Sequence, residues 1–341
     1  MRVATHNING IRAADRRGFR DWIDVSGADV VALQEMRCRP GDVPDGVFRG
    51  YHVAYNPGRL AGRNGVAVLT REAPASVFAW TPGADDVASW GPDGAPAAAA
   101  GTLFAQAAGP AVSVPPGQAG NPFLDEGRLV GVELADAPLT VVSVYVPKGG
   151  VPREIAPAKG REGYTPEQNH ARYERKLDFL ARLSGQLDAL QDDADRAGRH
   201  LLVLGDYNIA HGPADVSNWR TNLGTEGFLP AERAWLDAAV GPEPSSGRLD
   251  GRRVVAPTMS WTPHRRPLVD VVRAVRPDED GPYSWWSWRG QAFTNDVGWR
   301  IDYHLASPAL AALATRAWVD RAVDYDHRVS DHAPVLVDYD L

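Results

Sequence analysis

Residues 200–208 read HLLVLGDYN, a run in which four apolar residues and a glycine lead directly to Asp206 and Asn208. An uninterrupted apolar run of this length is typical of a strand buried on both faces of a sheet. Side chains two residues apart on an extended chain point to the same side. The stretch therefore predicts an interior strand that ends in a carboxylate and an amide on a common side.

Three further stretches place polar side chains where an apolar run meets a loop: ATHNING (4–10), VVALQE (30–35) and SDHAPVLVDY (330–339). Their polar residues are Asn7, Asn9, Glu35, Asp331 and His332. Strand ends of α/β folds are where distant segments converge on one cleft. Carboxylates suit a hard cation such as Mg²⁺, and a histidine suits acid–base chemistry or charge stabilisation. The set predicts metal-assisted attack on a phosphate ester.

Between the apolar segments lie helical patterns at about 14–26, 166–195, 230–240 and 307–315. The second of these begins with Thr165 and Pro166, a pair typical of a helix N-cap and first turn. Alternating strands and helices indicate an α/β fold. Because the polar motifs extend from residue 7 to residue 332, both ends of the chain must reach one site. We therefore expect one domain over residues 1–341.

Two segments depart from this alternation. Residues 84–122 are rich in Ala, Gly and Pro, a composition that favours a long, partly mobile loop inserted into the domain. Residues 149–165 are predicted to form a second inserted loop, which is shorter and more basic.

The composition limits the class of protein. Apolar residues make up 44% of the 341, which is enough for a substantial core. No segment approaches the ~20 apolar residues of a membrane span, and the first residues turn polar too early for a signal peptide. The one cysteine, Cys38, fits a reducing compartment. We expect a cytoplasmic protein that does not contact a membrane.

The formal net charge of −7 argues against a protein that coats nucleic acid non-specifically. It leaves room for a nuclease whose cations are concentrated on one face. The candidates for such a face are Arg12, Arg16, Arg17, Arg63, Lys148, Arg153 and Arg300.

Three stretches carry a resemblance to a known family: GDYNIAHGPADVSNW (205–219), GFLPAERAWLD (227–237) and YSWWSWRGQAFTNDVGWRIDYHLAS (283–307). With the strand-end motifs, they resemble the exonuclease III class of apurinic/apyrimidinic (AP) endonucleases, within the endonuclease/exonuclease/phosphatase superfamily. The resemblance implies a four-layer α/β sandwich of two packed β-sheets flanked by helices. It also implies a monomeric DNA-repair nuclease that uses Mg²⁺, with Mn²⁺ as a substitute. Its expected substrate is duplex DNA, cleaved 5′ to abasic sites, with 3′–5′ exonuclease and 3′-end-cleaning activity besides.

The resemblance also implies roles for individual residues. Glu35 and Asp331 would hold the metal, and Asn7 and Asn9 would contact it or orient its ligands. The remaining catalytic positions are Asp206 and Asn208 for the attacking water and the phosphate, Tyr145 for the phosphate, and His332 at the scissile phosphate with Asp302 as its carboxylate partner.

A second group would bind substrate. Trp285, Trp299 and Ile301 would line a small apolar pocket for the base-free deoxyribose, which costs little to extrude because it has lost its pairing. Asn218 and Lys148 would contact phosphate, although the family usually carries an amide where this chain has Lys148. A further departure is His6, which stands where the family has an aromatic residue and which we expect to pack in the core.

Two other functions are compatible with the same motifs. One is a phosphoesterase of the same fold that acts on a small molecule or a lipid, and the VGWRIDY element (297–303) argues against it. The other is a DNA-binding relative that has lost catalysis, which the complete set of acids, amides and histidine argues against.

Overall fold

The computed structural model describes residues 1–60, 62–81, 83, 86–94, 120–155, 163–249 and 258–341. Within them, thirteen strands form two mixed sheets. The first sheet contains β1 (Arg2–Asn7), β2 (Val30–Gln34), β3 (His52–Asn56), β4 (Val66–Thr70), β6 (Ala88–Trp90), β12 (Ala314–Val319) and β13 (Val335–Tyr339). The second contains β5 (Ser76–Ala79), β7 (Leu129–Glu133), β8 (Leu139–Tyr145), β9 (His200–Asp206), β10 (Val269–Asp270) and β11 (Asp302–Ala306).

The two sheets share a plan. The strand order is β12-β13-β1-β2-β4-β3-β6 in the first and β10-β11-β9-β8-β7-β5 in the second. Each sheet has one parallel pair, β1 with β2 and β8 with β9, and the other neighbours are antiparallel. The carboxyl ends of a parallel pair lie at the same edge, so each sheet presents two strand ends side by side.

Six α-helices lie in the described ranges: α1 (Ile11–Arg16), α2 (Phe19–Ser26), α3 (Pro166–Arg196), α4 (Pro230–Val240), α5 (Val271–Val275) and α6 (Pro308–Ala311). α3 begins as predicted, because Thr165 Oγ1 accepts from the Gln168 amide while Gln168 Oε1 accepts from the Thr165 amide. This reciprocal pair is a capping box. No helix in the described part of the chain has the length and apolar character needed to cross a membrane.

The interior strands are largely apolar because both of their faces are buried. In β9, Leu202 and Leu204 pack into the core between the sheets, whereas Leu201 and Val203 pack into a second core beneath α3 and α4. The first sheet alternates in the same way, with its other face packed on α1 and α2. The layers therefore run helix, sheet, sheet, helix, which confirms the predicted four-layer sandwich.

Two predicted helices differ from the structure. The pattern at 14–26 is two helices, because Gly18 adopts φ 94°, a left-handed conformation that suits glycine. The pattern at 307–315 is wrong beyond its first turn, since α6 ends at residue 311 and the chain continues as β12. Pairing with β13 gives residues 314–319 their strand conformation, and local periodicity in the sequence does not detect such pairing.

The loop predicted at 84–122 is also wrong near its start. Residues 88–90 form β6 at the edge of the first sheet, and Trp90 is only 6% exposed. Residues 84, 85 and 95–119 lie outside the described residues. In the second predicted loop, Val151 is buried against Tyr173 and Leu229, while residues 156–162 lie outside the description.

Candidate active site

The site forms where the carboxyl edges of the two parallel pairs meet. Asn7 ends β1 and lies in register with Gln34 at the end of β2, so Glu35 follows at the same edge. In the second sheet, Tyr145 and Asp206 are in register at the ends of β8 and β9. The antiparallel β11 begins at the same edge, because its first residue is in register with Asp206. Asn7 and Asp206, which are 199 positions apart in the chain, therefore come into contact.

Asn7 joins the two sheets. Its Nδ2 donates to Glu35 Oε1 at 3.1 Å and to Asp206 Oδ2 at 2.9 Å, and its Oδ1 accepts from the Asn9 amide at 3.1 Å. Asn7 is fully buried, so it orients the two carboxylates while its own oxygen is already engaged. Tyr145 adds a second donor to Glu35, with Oη 2.6 Å from Oε1. Burial raises the pKa of Tyr145 well above its usual value, so its hydroxyl keeps the proton that it donates.

Asp206 is held by its near neighbour Asn208. The Asn208 amide donates to Asp206 Oδ1 at 2.8 Å, and Asn208 Nδ2 donates to Asp206 Oδ2 at 3.0 Å and to the Val146 carbonyl at 3.0 Å. Asp206 is 1% exposed. Its burial, with the nearby charges of Asp302 and Glu35 adding to the effect, raises its pKa to about 7.

His332 lies between two carboxylates. Its Nδ1 is 2.8 Å from Asp302 Oδ2, and its Nε2 is 3.8 Å from Asp206 Oδ2. Burial alone would lower the pKa of His332, but the charges of Asp302 and Asp206 outweigh it and raise the pKa to about 10. Ser284 Oγ donates to the same Asp302 oxygen at 2.6 Å. Asp302 thus fixes the imidazole ring and leaves Nε2 on the side of Asp206.

Asp331 and Asn9 stand beside this group. Asn9 Nδ2 donates to Asp331 Oδ1 at 2.8 Å, and Trp285 Nε1 donates to Asp331 Oδ2 at 3.1 Å. Burial would raise the pKa of the Asp331 carboxyl, but His332 and these two donors outweigh it and lower the pKa. Asp331 is therefore held as a carboxylate by one amide and one indole.

Four residues of the site have left-handed backbones: Asn9 (φ 47°), Glu35 (φ 53°), Arg37 (φ 48°) and Asn208 (φ 50°). In the described part of the chain, only two other non-glycine residues share this feature. Such conformations cost on the order of 1–3 kcal/mol and cluster at functional sites, where the surroundings enforce them. Their concentration at the strand-end turns sets the site apart from the rest of the molecule.

These side chains open into a cavity of about 480 Å³. On its polar side the cavity is lined by Glu35, Tyr145, Asp206, Asn208 and His332. Its apolar wall is made by the three predicted pocket residues, Trp285, Trp299 and Ile301, together with Ala292 and Val297. The predicted substrate pocket and the polar site are therefore one continuous space.

The apolar wall has a defined internal packing. The rings of Trp285 and Trp299 meet edge to face with centroids 6.4 Å apart, and Phe228 meets Trp299 at 6.3 Å. Ile301 is 6% exposed. Both tryptophans are half-buried, which leaves part of each ring accessible from the cavity.

The predicted phosphate contacts lie at the rim of the cavity. Asn218 and Lys148 are exposed and line the same space. Asn7 and Asp302 are not among the residues that line it, because both are buried behind the side chains they orient.

His6 packs in the core, as expected. It is 1% exposed, meets the Trp22 ring edge to face and donates from Nε2 to the His332 carbonyl at 3.3 Å. Burial lowers the pKa of His6 to about 3, so the ring is neutral.

Within the described residues, two groups of side chains could hold a metal ion. Asp206, Asp302 and His332 offer ligand atoms that lie within 4.8 Å of one another, but hydrogen bonds engage most of those atoms. The second group is the all-oxygen set that lines the cavity, formed by Glu35, Asp331 and Asn9. Oxygen ligands at an accessible edge fit a hard divalent cation, so we favour the second group.

Two residues of the site were not among those predicted from sequence. Arg37 forms an ion pair with Glu35 Oε2, an oxygen that accepts no hydrogen bond in the described residues, and donates to Asn9 Oδ1 at 2.5 Å. Its position two residues after Glu35 could have signalled a shared side. Ser284 lies 18 residues before its partner Asp302, and the sequence carries no sign of that contact.

One expectation about charge is wrong. Arg300 is 1% exposed and cannot belong to a basic face. Its Nε donates to Asp215 Oδ1 at 2.8 Å and its Nη1 to Asp270 Oδ2 at 2.7 Å. A charge adjacent to Ile301 in sequence is therefore part of a buried ion-pair network.

The chain is similar to known proteins along nearly all of its length. The sequence profile of the Endonuclease/Exonuclease/phosphatase family matches residues 4–332. An exodeoxyribonuclease of Bacillus subtilis is 25% identical over 340 residues, which cover 98% of both chains. The DNA-(apurinic or apyrimidinic site) endonuclease 2 of Xenopus laevis is 27% identical over 98% of this chain, which spans 59% of that protein.

Solved structures show the same fold. An AP endonuclease from Archaeoglobus fulgidus superposes with a TM-score of 0.66 at 23% identity, over 100% of both chains. A 3′-5′ exonuclease from Neisseria meningitidis superposes with a TM-score of 0.65 at 22% identity, again over 100% of both. The paired sheets and their flanking helices are thus a shared architecture.

Proposed function

The chain belongs to the endonuclease/exonuclease/phosphatase family, and from this premise we propose that it is a monomeric, Mg²⁺-dependent DNA-repair nuclease that hydrolyses the phosphodiester 5′ to abasic sites. The observation that supports this proposal most strongly is the shared cavity. A carboxylate and an imidazole lie 3.8 Å apart, and an apolar tryptophan wall borders the same space. Removal of nucleotides or blocking groups from 3′ ends would use the same site.

In this proposal Asp206 accepts a proton from the attacking water, because a pKa of about 7 suits a base that works near neutral pH. Asn208 and Tyr145 would donate to the phosphate oxygens once substrate is bound, and each would then give up one hydrogen bond that it makes in this structure. His332, kept cationic by Asp302, stabilises the charge that develops on the phosphate. Asp302 does not line the cavity, so it would act through the imidazole and not on the substrate directly.

The metal would be held by Glu35 and Asp331, with Asn9 beside them. A bound Mg²⁺ supplies Lewis-acid stabilisation of phosphate oxygens. Asn7 and Tyr145 fix the Glu35 carboxylate by donating to Oε1, which leaves Oε2 as the oxygen without a hydrogen bond. The donor set therefore offers the metal one carboxylate oxygen that no neutral group engages.

Substrate selection would come from Trp285, Trp299 and Ile301. The wall offers mainly apolar contact beside the polar site, which suits a sugar that carries no base. A normal nucleotide would have to unpair and unstack before entering, and this costs a few kcal/mol that an abasic site largely avoids.

The test is incision of an end-labelled duplex that carries one abasic analogue, with Mg²⁺ and with chelator. We expect a product cut 5′ to the lesion that requires the metal, and little cleavage of the matched intact duplex. Asp206→Asn and His332→Asn should each lose on the order of 10²-fold or more. Metal-dependent hydrolysis of a small phosphodiester or an inositol phosphate, without DNA incision, would contradict the proposal.

A further inference from the structure

A buried ion pair lies beneath the loops that carry the site. Lys176 in α3 and Glu232 in α4 are both 0% exposed, and Lys176 Nζ is 2.7 Å from Glu232 Oε1. Lysine and glutamate are almost never fully buried unless they are paired. None of the roles proposed above uses this pair.

Lys176 makes two more hydrogen bonds, both to the backbone of site loops. Its Nζ donates to the Asn208 carbonyl at 2.8 Å and to the Lys148 carbonyl at 3.3 Å. An ammonium group has three protons, so all three are engaged. One side chain therefore connects the loop after β9, which carries Asn208, with the loop after β8, which carries Lys148.

Glu232 extends the connection to a third loop. Its Oε2 accepts from the Gly227 amide at 2.8 Å and from the Leu229 amide at 2.9 Å. These two residues flank Phe228, whose ring packs against Trp299 in the apolar wall. The ion pair therefore links the polar side of the cavity to its apolar wall.

The loops have little room to rearrange around this pair. A Cβ at Gly149 would lie 2.6 Å from Lys176 Cδ, and one at Gly150 would lie 2.2 Å from the Asn169 carbonyl oxygen. Asn208 is held at φ 50°, an uncommon conformation that its surroundings must enforce. The Lys176 bond to its carbonyl is one such constraint.

We infer that Lys176 and Glu232 are positioning residues, which hold the loops of Asn208, Lys148 and Phe228 at the separation that the reaction requires. The inference rests on the proposed function. A buried ion pair is weak evidence of a stabilising role, because apolar replacements of similar volume are often neutral or better for stability. A small displacement of a group that orients the phosphate, in contrast, can reduce a rate by as much as about 10²-fold.

The experiment uses the full chain with the double substitution Lys176→Met/Glu232→Gln, which removes both charges and keeps an oxygen at 232 for the two amides. We expect a cooperative thermal transition close to that of the wild type. We also expect kcat for abasic-site incision to fall about tenfold or more while KM changes less than about twofold. An unchanged kcat would overturn the inference.

The matched control is Gln186→Met. Gln186 is a buried polar residue of the same helix, and its Oε1 accepts from Trp80 Nε1 at 3.0 Å. Gln186 is not among the residues that line the cavity, so kcat should stay at the wild-type value. A loss as large as that of the double variant would assign both effects to general damage in α3 and would overturn the inference.

A double-mutant cycle separates positioning from loss of packing. If Lys176 acts through Asn208, the double substitution should cost about twofold or less when Asn208 is already alanine, because coupled residues are not additive. A loss of about tenfold in that background would overturn the inference. Lack of any incision by the wild-type protein would instead overturn the proposed function.

Discussion

Replacing Asp302 with asparagine should reduce abasic-site incision by about 10²-fold. Two unit charges 4 Å apart near a protein surface interact by about 4 kcal/mol, and Asp302 Oδ2 is 2.8 Å from His332 Nδ1 with both groups buried. Asparagine can keep a hydrogen bond, and Asp206 remains as a second negative neighbour. The net loss of imidazolium stabilisation is therefore smaller, about 2.7 kcal/mol, which corresponds to about 10²-fold in rate.

A milder change at the same carboxylate should give a graded result. Ser284→Ala removes one donor to Asp302 Oδ2 and leaves the charge in place. One such hydrogen bond contributes about 1 kcal/mol, so we expect about a fivefold loss in rate. Ser143→Ala is the matched control, because Ser143 is fully buried between the sheets and donates to the Leu33 carbonyl at 3.0 Å without contacting Asp302.

The assay is single-turnover incision of an end-labelled abasic duplex at saturating enzyme and metal, with thermal melting of each variant. Rates should fall in the order wild type, Ser284→Ala, Asp302→Asn, and Ser143→Ala should stay near wild type in rate whatever its stability. A folded Asp302→Asn protein within about threefold of the wild-type rate would refute the reasoning, since it would leave no room for charge stabilisation by the pair. A Ser143→Ala variant as slow as Ser284→Ala would refute it too.

Three further changes test other parts of the molecule. Glu35→Gln should raise the Mg²⁺ concentration needed for half-maximal incision, because it removes the charge of the proposed ligand; an unchanged titration curve would assign the metal elsewhere. Trp299→Ala should lower the ratio of incision rates on abasic and intact duplex, and an unchanged ratio would leave Trp299 a packing residue. Replacing residues 95–119 with a short Gly/Ser linker should leave folding and basal cleavage nearly intact. Trp90→Ala should instead lower the free energy of unfolding by about 3 kcal/mol, which denaturant titration can check.

The interior strands could be predicted from sequence because burial on both faces leaves an uninterrupted apolar run, as in β2 and β9. β12 could not, since it reads ATRAWV, is mostly accessible and owes its conformation to pairing with β13. β6 could not be predicted from sequence for a different reason. Its three residues lie in an Ala/Gly/Pro-rich context, and only Trp90 is large enough to signal burial.

Most members of the site could be named from sequence, but Arg37, Ser284 and the contacts among the members could not. Asn7 and Asp206 are 199 residues apart and meet because two different sheets end at one edge. No local pattern encodes that meeting. The same limit explains why Arg300 was assigned to a surface although its partner Asp215 lies 85 residues away in the core.

The partners of the buried acids distinguish the acids that react from those that support the fold. Asp215, for example, is neutralised by Arg273 and Arg300, so little of its field reaches the cavity. Asp206 receives its hydrogen bonds from neutral amides. Neutral donors satisfy the oxygens of an acid without cancelling its charge, and a cluster of such carboxylates has a cost in folding free energy.

In a metal-dependent site, negative charge that is not cancelled by arginine has a function. A region of uncompensated negative charge attracts a divalent cation and holds an imidazole in its charged form, and arginine partners would cancel both effects. The one cation bonded to the proposed metal ligands is Arg37, among the described residues, and its side chain is 43% exposed. The guanidinium of Arg37 is thus partly in water although Glu35 is buried, and a metal ion can displace it from Glu35 at a smaller cost than displacing Arg300 from Asp215, where both side chains are buried.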